Sequence, residues 1–544
     1  MKSYKFNKQK KIIGFMLDEN ELDFFSFHLI DWAIKSKKFS KIYLFTLSGN
    51  YKKKIYKPFF KRSFKKLLSN TIFKLINNFE KLFIPKKFEK YFNKYNLKLF
   101  NNVIEVKIHP KIKNNLYTYY FSKKDLNIIK KTKVNLLVRL CSGILRGDIL
   151  KIAKNGVISV HHGDPDQFRG GPPGFWEVHN KIPNSYFIIQ KLEDELDNGK
   201  IYLKGSIQTK HFYLLNQIFI KEKSLYFFKK YILKVLDSNI EILETNLPYF
   251  RQFYTFPGIK ISFNYILSTY GNIVLRKIFK NKQKYSIYFQ KKNWTKLSLK
   301  NCKQIKDKVH SYADPFLLQY NSKQYIFYEK FNINNVGKIG VFDIYKNQDL
   351  GLINFKNENS HKSFPFVFKY KNKIYMVPET HKLNEIRLYE CEKFPMKWKL
   401  SKILIKNIKA VDTIILFKKN MFWLFTNICS SNLEDFSSEM HIFYSKNVLS
   451  NNWKPHKKNP VIFNGLFGRN AGLIKDKSYY RVSQTHNFLD YGSKININKI
   501  IKLSTTDYQE EDYVVNKKSS ETKFSRVHHL NFKDNFSVFD YKSN

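Results

Sequence analysis

The sequence predicts an N-terminal α/β domain followed by an all-β domain built as a five-bladed β-propeller. Apolar strands alternate with helical patterns through the first third of the chain, whereas short aromatic strands recur after Tyr285. At 544 residues the chain is also too long for one ordinary core. We expect the α/β domain over residues 10–235 with a basic insertion at 51–100, a connector at 236–284 and the propeller at 285–533.

The α/β domain is predicted because strands that alternate with helices are typical of a parallel sheet covered on both faces. Ligands bind at the carboxyl ends of such strands, which is where the loop after Val160 falls. The predicted strands are Lys11–Leu17, Lys41–Leu47, Val103–Ile108, Val134–Leu140, Val157–Val160, Tyr186–Gln190 and Ile201–Ile207, and the predicted helices are Glu21–Lys35, Asp125–Lys131, Ile144–Ala153 and Ser224–Asn246.

The propeller is predicted from strand pairs that share a short turn and recur about every 50 residues. A further start near Tyr285–Trp294 brings the number of blades to five. A β-sandwich is the rival interpretation, but the repeated openings Asp314-Pro315-Phe316, Phe364-Pro365-Phe366 and Val411-Asp412-Thr413 favour radial repetition. The pairs are Pro315–Tyr320 with Gln324–Glu329, Pro365–Lys369 with Lys373–Val377, Ile414–Phe417 with Met421–Phe425, and Ala471–Lys475 with Ser478–Val482.

The net charge of +53 accompanies an excess of Lys, Asn, Ile, Phe and Tyr with little Arg, a composition typical of an AT-rich genome. We therefore expect no nucleic-acid partner. The insertion Tyr51–Phe100 carries 15 Lys and Arg against two Glu and is expected to be a solvated helical appendage, or else a peripheral contact with an anionic membrane. Four scattered cysteines predict neither a disulfide nor a metal site, and with no visible signal peptide or membrane span we expect a cytoplasmic protein.

The segment from Gly156 to Ile201 carries the residues best suited to acid–base chemistry. A strand ends in His161-His162, and an acidic turn, Leu196-Asp197-Asn198-Gly199, follows. An imidazole exchanges protons near neutral pH, and a carboxylate can orient it. His161 and Asp197 are therefore the candidate catalytic pair.

This segment resembles the formyltransferase family, whose motif is Asn-x-His, then Arg-Gly, then Leu-Asp-x-Gly-x-Ile. The matching residues are Ser159, His161, Arg169, Gly170 and Leu196 to Ile201. The resemblance implies a Rossmann-like formyltransferase domain that moves a formyl group from N10-formyltetrahydrofolate to an amine. It also implies that His161 stabilises the oxyanion and that Asp197 couples to it.

One position departs from the family pattern, because Ser159 stands where the family has Asn. We retain Ser159 as a third catalytic candidate. The family resemblance and the polar loop make His162, Asp164, Arg169 and Gly170 candidate substrate-binding residues. A domain that has lost or changed its chemistry is the competing interpretation.

The C-terminal half resembles the propeller that precedes the glycosyltransferase in plant glucosamine inositolphosphorylceramide transferases, itself similar to five-bladed glycosidases. The residues concerned include Ala313 to Leu317, Tyr375 to Thr380 and Trp453 to Pro460. Those glycosidases place three acidic residues around the central channel, which makes Asp314, Glu379 and Asp412 the candidates here. Arg469 and Gln484 are expected at the same channel mouth. Turn-capping or sugar-binding roles without hydrolysis are the favoured alternative.

These resemblances together lead us to expect a formyltransferase that acts on an amino sugar or nucleotide sugar in surface-glycan biosynthesis. The alternative is a glycoside-processing or carbohydrate-binding protein that acts through the propeller, with an altered formyltransferase-like domain.

Overall fold

A computed structural model describes most of the chain as two compact units. The N-terminal unit comprises Met1–Lys181, Ser185–Gly205 and Lys210–Val274, and the C-terminal unit comprises Ile182–Asn184, Ser206–Thr209 and Leu275–Asn544. The described residues are 10–18, 21–48, 64–113, 118–164, 166–193, 199–238, 240–243, 253–278, 284–305, 309–331, 336–488, 490–513 and 525–543.

The N-terminal unit is built on a seven-stranded sheet. Its strand order is Lys200–Gln208, Asn184–Lys191, Val157–His161, Leu136–Arg139, Lys11–Leu17, Phe39–Leu47 and Ile104–Ile108. The last five strands pair in parallel, and Val157–His161 pairs antiparallel with Asn184–Lys191. The central strand Lys11–Leu17 is apolar and mostly buried, as expected of a parallel strand covered on both faces. The sequence thus predicted the parallel sheet correctly.

Among its described residues this unit has six α-helices, with two of their starts fixed by side-chain caps. Asp23 accepts the backbone N–H of Ser26, and Ser122 accepts that of Asp125. The helices are α1 (Phe24–Lys35), α2 (Phe64–Phe83), α3 (Lys123–Lys131), α4 (Phe175–His179), α5 (Tyr213–Leu236) and α6 (Ile259–Ile278). Short strands lie at Glu21–Leu22, Tyr95–Asn96, Lys111–Lys113, Thr118–Tyr120, Ile144–Leu145, Arg169–Gly170 and Phe253–Tyr254, and 3-10 turns at Lys86–Phe92, Leu97–Leu99 and Gly147–Lys151.

Several segments differ from what the sequence indicated. The predicted helix Ile144–Ala153 is a short strand followed by a 3-10 turn, and the helix predicted over Ser224–Asn246 runs from Tyr213 to Leu236. The basic insertion, of which residues 51–63 lie outside the described residues, contributes α2, and Glu80 of that helix is fully buried. The expected connector contributes α6 to the N-terminal unit. Tyr265 and Tyr270 of α6 donate hydroxyl hydrogen bonds to Glu80, and Leu214 at the start of α5 donates its backbone N–H at 2.8 Å. The insertion is therefore packed into the unit rather than appended to it.

The C-terminal unit consists of five four-stranded antiparallel blades. Blade 1 is Ser311–Tyr320, Lys323–Phe331, Lys338–Asp343 and Gln348–Leu352; blade 2 is Ser363–Tyr370, Lys373–Glu379, Glu385–Lys393 and Lys397–Lys406; blade 3 is Ala410–Lys418, Met421–Ile428, Glu439–Ser445 and Lys454–Pro455. Blade 4 is Asn470–Lys475, Tyr479–Asn487, Asp490–Leu503 and Tyr508–Asp512, and blade 5 is Val527–Lys533, Phe536–Ser543, Lys284–Gln290 and Lys303–Ile305. Asn354–Phe355 pairs with the outer strand of blade 2, and Ile462–Phe463 pairs with the third strand of blade 3.

The first strand of each blade is the innermost, and the five innermost strands contact one another in a closed ring. Lys284–Gln290 pairs with the final strand Phe536–Ser543, so the start and end of this unit share blade 5. The sequence predicted five blades correctly. It placed Tyr285–Trp294 at the opening of a blade, whereas Lys284–Gln290 is a third strand.

All five innermost strands carry a one-residue register shift, a β-bulge, at the same place. In the first three blades the shift begins with a non-glycine residue at positive φ: Asp314 (49°), Phe364 (48°) and Asp412 (50°). His528 takes the corresponding position in blade 5. A β-bulge redirects its side chain relative to the regular strand, and repetition gives these side chains a common direction.

Candidate functional site

The residues predicted at the N-terminal site occupy the end of strand Val157–His161 and the loop after it. Ser159 is 2% exposed, accepts a hydrogen bond from Arg139 Nη1 at 3.3 Å and donates to the carbonyl oxygen of Val160 at 3.3 Å. Its hydroxyl is thus engaged by protein groups on both sides. Asp197 lies outside the described residues, so the pairing of His161 with Asp197 stays a prediction.

His162 is half-buried and engaged by its neighbours. Its Nε2 lies 2.9 Å from the hydroxyl of Ser224, and its ring contacts Phe25 edge-on. Burial, with the charge of Lys221 adding, lowers the pKa of His162 to about 3, so the ring is neutral near pH 7.

Lys204 joins the two aspartates of the loop that follows. Its Nζ donates to Asp164 at 2.9 Å and to Asp166 at 2.8 Å. The charge of Asp164 also acts on Glu177 of α4, a residue that the sequence had not indicated. Burial, with the charge of Asp164 adding, raises the pKa of Glu177 to about 7.

Gly170 has a packing role in the same region. Its φ is 109°, and a Cβ there would lie 2.1 Å from the carbonyl oxygen of Tyr254, with which Gly170 pairs in a short parallel ladder. Only glycine allows that approach. The backbone of Arg169 pairs with Phe253 in the same ladder.

The predicted acidic residues of the propeller lie together at the bulged ends of the innermost strands. The charge of Asp412 raises the pKa of Asp314, and the charge of Glu379 raises the pKa of Asp412. Glu329 and Asp540 join them, and all five carboxyl groups are buried or largely buried. We call Asp314, Glu329, Glu379, Asp412 and Asp540 the acidic cluster.

Two of these carboxylates are held by cationic or imidazole partners. Arg469 Nε donates to Asp412 Oδ2 at 2.5 Å, and His381 Nδ1 lies 2.6 Å from Glu379 Oε1. The side chains of Arg469 and His381 keep 18% and 26% exposure, so the cluster reaches solvent on their side. Phe436 packs its half-buried ring against His381 at a centroid distance of 5.6 Å.

Asp540 organises the opposite side of the cluster. Its Oδ1 accepts the backbone N–H groups of His528 at 3.0 Å and His529 at 2.7 Å. Its Oδ2 accepts the N–H of Asp314 at 3.0 Å and lies 3.1 Å from His528 Nδ1. Four donors thus surround one carboxylate.

The same residues form the one group of metal-type ligands found among the described residues. Ligand atoms of Asp314, His528 and Asp540 lie within 4.8 Å of one another. A metal ion needs lone pairs on its ligand oxygens, and those of Asp540 already accept four hydrogen bonds. Asp540 is therefore better suited to holding the backbone of His528, His529 and Asp314 in place than to binding a metal ion.

The surroundings of the acidic cluster raise the pKa of some of its carboxyl groups and lower the pKa of others. Burial raises the pKa of Asp314 against the opposing charges of His528 and Arg469, and burial together with the charge of Asp314 raises that of Glu329. Burial also opposes ionisation of Glu379, but the hydrogen bond from His381 and the charge of Arg469 bring its pKa below the ordinary value. A proton-bearing and an ionised carboxyl group are the pair that acid–base chemistry requires.

Sequence reasoning missed Glu329, His528 and Asp540. The repeat itself contained the information for two of them. Glu329 pairs with Ala313 as Glu379 pairs with Ser363, and His528 follows Val527 as Asp314 follows Ala313. Comparing the ends of the second strands in blades 1 and 2 would have identified Glu329, and extending the comparison of blade openings to the last hairpin would have identified His528. Gln484, expected near the channel mouth, has its Nε2 at 3.1 Å from His528 Nε2.

Comparison with known proteins finds similarity in the propeller. Residues 297–538 match the family model described as glucosamine inositolphosphorylceramide transferase 1, N-terminal. The glucosamine inositolphosphorylceramide transferase 1 of Arabidopsis thaliana is 37% identical over 208 residues, which are 36% of this chain and 26% of the relative. That of Oryza sativa subsp. japonica is 35% identical over 207 residues, 36% and 27% of the two chains. The match thus spans about a quarter of these relatives.

Solved structures resemble the chain only distantly. A family 117 glycoside hydrolase from Zobellia galactanivorans has 11% identity and a TM-score of 0.32, covering 47% of this chain and 90% of its own. A sugar N-formyltransferase from a Shewanella species has 14% identity and a TM-score of 0.27, covering 46% and 78%. Identities and TM-scores this low do not define a fold, so the architecture is assigned from the strand pairing alone.

These comparisons correct the predicted activity. The matched family and relatives are named for a glucosamine inositolphosphorylceramide transferase, so the prediction of a formyltransferase that uses N10-formyltetrahydrofolate is wrong. The Ser159 hydroxyl, at the position where the family has Asn, is engaged by Arg139 and Val160. What the structure does show of the expected Rossmann-like domain is the parallel sheet.

No helix within the described ranges has the length and apolar character needed to cross a membrane.

Proposed function

We propose that the propeller binds a carbohydrate at the acidic cluster. The observation that carries this proposal is that Asp314, Glu379 and Asp412, from three successive blades, lie close enough at one end of the innermost strands for the charges of all three to act on Glu329. Carboxylates accept hydrogen bonds from sugar hydroxyls, and the partly exposed Arg469 can donate to them. The half-buried ring of Phe436 supplies an apolar face next to these polar groups.

The ligand class proposed first is an amino sugar or a glycan that contains one. The similar plant proteins are named for glucosamine and inositolphosphorylceramide, which supports this choice. A cluster of carboxyl groups also suits an ammonium group, because an added cation favours their ionised forms. The match spans only a quarter of those relatives, so binding of the sugar, rather than its transfer, is the function proposed.

A second candidate function is cleavage or exchange of a glycosidic bond. It is favoured by the opposite pKa shifts of Asp314 and Glu379. Protonated Asp314 would give its proton to the leaving glycosidic oxygen. Ionised Glu379 would take a proton from the water or sugar hydroxyl that attacks the anomeric carbon.

Calorimetric titration of the full chain with glucosamine, N-acetylglucosamine and myo-inositol tests the proposal. We expect Asp412→Asn and Glu379→Gln each to weaken sugar binding by at least about tenfold, the effect of losing one charged hydrogen bond of roughly 1.5–3 kcal/mol. Asp476→Asn, on an exposed turn, is the matched control. Sugar binding that survives both cluster variants, or the absence of sugar binding in the unaltered chain, would overturn the proposal. Release of free sugar from aryl glycosides, lost in Asp314→Asn, would identify the second candidate.

A further inference from the structure

Helix α2 presents an apolar stripe to solvent. Its buried side faces the N-terminal unit through Phe73, Ile76 and Glu80. At 100° per residue, the exposed apolar residues fall within about 100° of the helix circumference beside that buried arc. They are Phe64, Leu68, Leu75, Phe79, Leu82 and Phe83, of which Leu75 is 62% and Leu82 is 78% exposed.

Helix α6 presents a second stripe of the same kind. Phe263, Leu267 and Val274 follow one another at i, i+4 and i+11, which places them on one face of the helix. All three are more than half exposed. Tyr265, on a different face, is fully buried. Neither stripe is therefore part of the hydrophobic core.

The two stripes meet where the helices touch. The ring of Phe79 in the α2 stripe lies 5.0 Å from that of Tyr270 in α6, and Tyr270 is one turn from both Leu267 and Val274. Glu80, bonded by Tyr265 and Tyr270, fixes this arrangement from the buried side. The two stripes together make one apolar surface, which we call the α2–α6 surface.

The charge beside this surface is positive. Residues 64–100 contain nine lysines and two glutamates, Glu80 and Glu89, and Glu80 is fully buried. The lysines of α2 include Lys65, Lys66 and Lys74, which are exposed. An apolar stripe flanked by lysines is the pattern of helices that lie in the interface of an anionic membrane.

We propose that the α2–α6 surface docks the protein on an anionic lipid bilayer. The apolar stripes would enter the boundary between headgroups and acyl chains, while the lysines pair with lipid phosphate and carboxylate groups. A second copy of the chain fits this surface poorly, because it would bring two lysine-rich faces together. The proposal is independent of sugar binding by the propeller.

Vesicle sedimentation with the full chain tests the proposal, using phosphatidylcholine alone and phosphatidylcholine mixed with phosphatidylserine. We expect binding to the mixed vesicles, weakened at about 1 M salt, where the Debye length is about 3 Å. Leu75→Gln with Leu82→Gln should lower partitioning at least about tenfold. Lys65→Gln with Lys74→Gln should lower it roughly fivefold per lysine.

The matched controls remove exposed residues of the same types from the propeller. Leu299→Gln with Leu352→Gln controls for lost apolar surface, and Lys346→Gln with Lys477→Gln controls for lost charge. Both control proteins should bind vesicles as the unaltered chain does. Absence of vesicle binding, equal binding to vesicles without phosphatidylserine, or equal losses in the controls would overturn the proposal. Light scattering that shows a dimer lost in Leu75→Gln with Leu82→Gln, without vesicle binding, would assign the surface to self-association and overturn it as well.

Discussion

Asp540 on the second strand of blade 5 accepts the backbone N–H of Asp314 on the innermost strand of blade 1, at 3.0 Å. Asp540 is fully buried, and it also accepts the N–H groups of His528 and His529. One carboxylate thus fixes the bulges of two neighbouring blades. Because blade 5 is assembled from both ends of the unit, this contact also lies at the closure of the ring.

Replacing Asp540 should therefore destabilise the propeller. We expect Asp540→Asn to lower the free energy of unfolding by about 3–5 kcal/mol, because it leaves buried His528 without its charged partner. Urea denaturation measures the change. Asp534→Asn, on the exposed turn of the same hairpin, should change it little. Equal stability of the two variants would contradict a positioning role for Asp540.

Arg469 should set the pH range over which the cluster binds its ligand. The positive charge of Arg469 lowers the pKa values of Asp412 and Glu379, so Arg469→Gln should raise both. A carboxyl group with a raised pKa regains its proton at a higher pH, so sugar affinity should be lost earlier as the solution is acidified. Calorimetry across pH 4–8, in steps of about one unit, measures the shift.

The control for Arg469→Gln is Arg387→Gln. Arg387 also pairs with two carboxylates, Glu358 at 2.8 Å and Glu385 at 2.6 Å, but these lie outside the acidic cluster. Its replacement should leave the pH dependence of affinity unchanged. An identical shift in both variants would mean that Arg469 acts through general stability.

Glu177 should make the N-terminal unit less stable as the pH rises. Its pKa of about 7 in the folded state exceeds the ordinary value of 4.5, so between these values the unfolded chain loses a proton that the folded chain retains. Glu177→Gln removes this penalty. We expect little change in the free energy of unfolding at about pH 4 and a gain of about 3 kcal/mol near pH 8.

Denaturation curves at the two pH values test this prediction. Glu89→Gln, on an exposed 3-10 turn, should give the same difference from the unaltered chain at both. A Glu177→Gln protein that is less stable at the higher pH would show that the ionised carboxylate has a stabilising partner.

The hydroxyl of Tyr265 should hold α2 against the N-terminal unit. It donates to Glu80 and accepts the backbone N–H of Tyr213 at 2.9 Å, so Tyr265→Phe removes one of the hydrogen bonds to buried Glu80 and an acceptor of the Tyr213 N–H. The expected cost is about 1–3 kcal/mol. Hydrogen exchange should become faster in α2, whereas Tyr345→Phe, at an exposed position, should leave it unchanged. Unaltered exchange in Tyr265→Phe would contradict this role.

The sequence by itself determined the features that depend on short-range pattern. Alternating apolar residues and Asn- or Lys-containing turns predicted the hairpins, and the repeated openings placed Asp314 and Asp412 at equivalent positions in two blades. The same alternation of strand and helix predicted the parallel sheet. Each of these features can be predicted from a short stretch of sequence, because side-chain direction alternates along a strand and repeats with each blade.

Only the tertiary structure decided the features that depend on residues far apart in the chain. Lys284–Gln290 pairs with Phe536–Ser543, and this pairing brings Asp540 and His528 beside Asp314. Arg469 meets Asp412 across 57 positions of sequence. The pKa values of the acidic cluster follow from burial and from these neighbours, and neither is encoded within any single strand. Closure of the ring therefore creates the chemistry of the site, because only there do charges from all the blades share one low-dielectric environment.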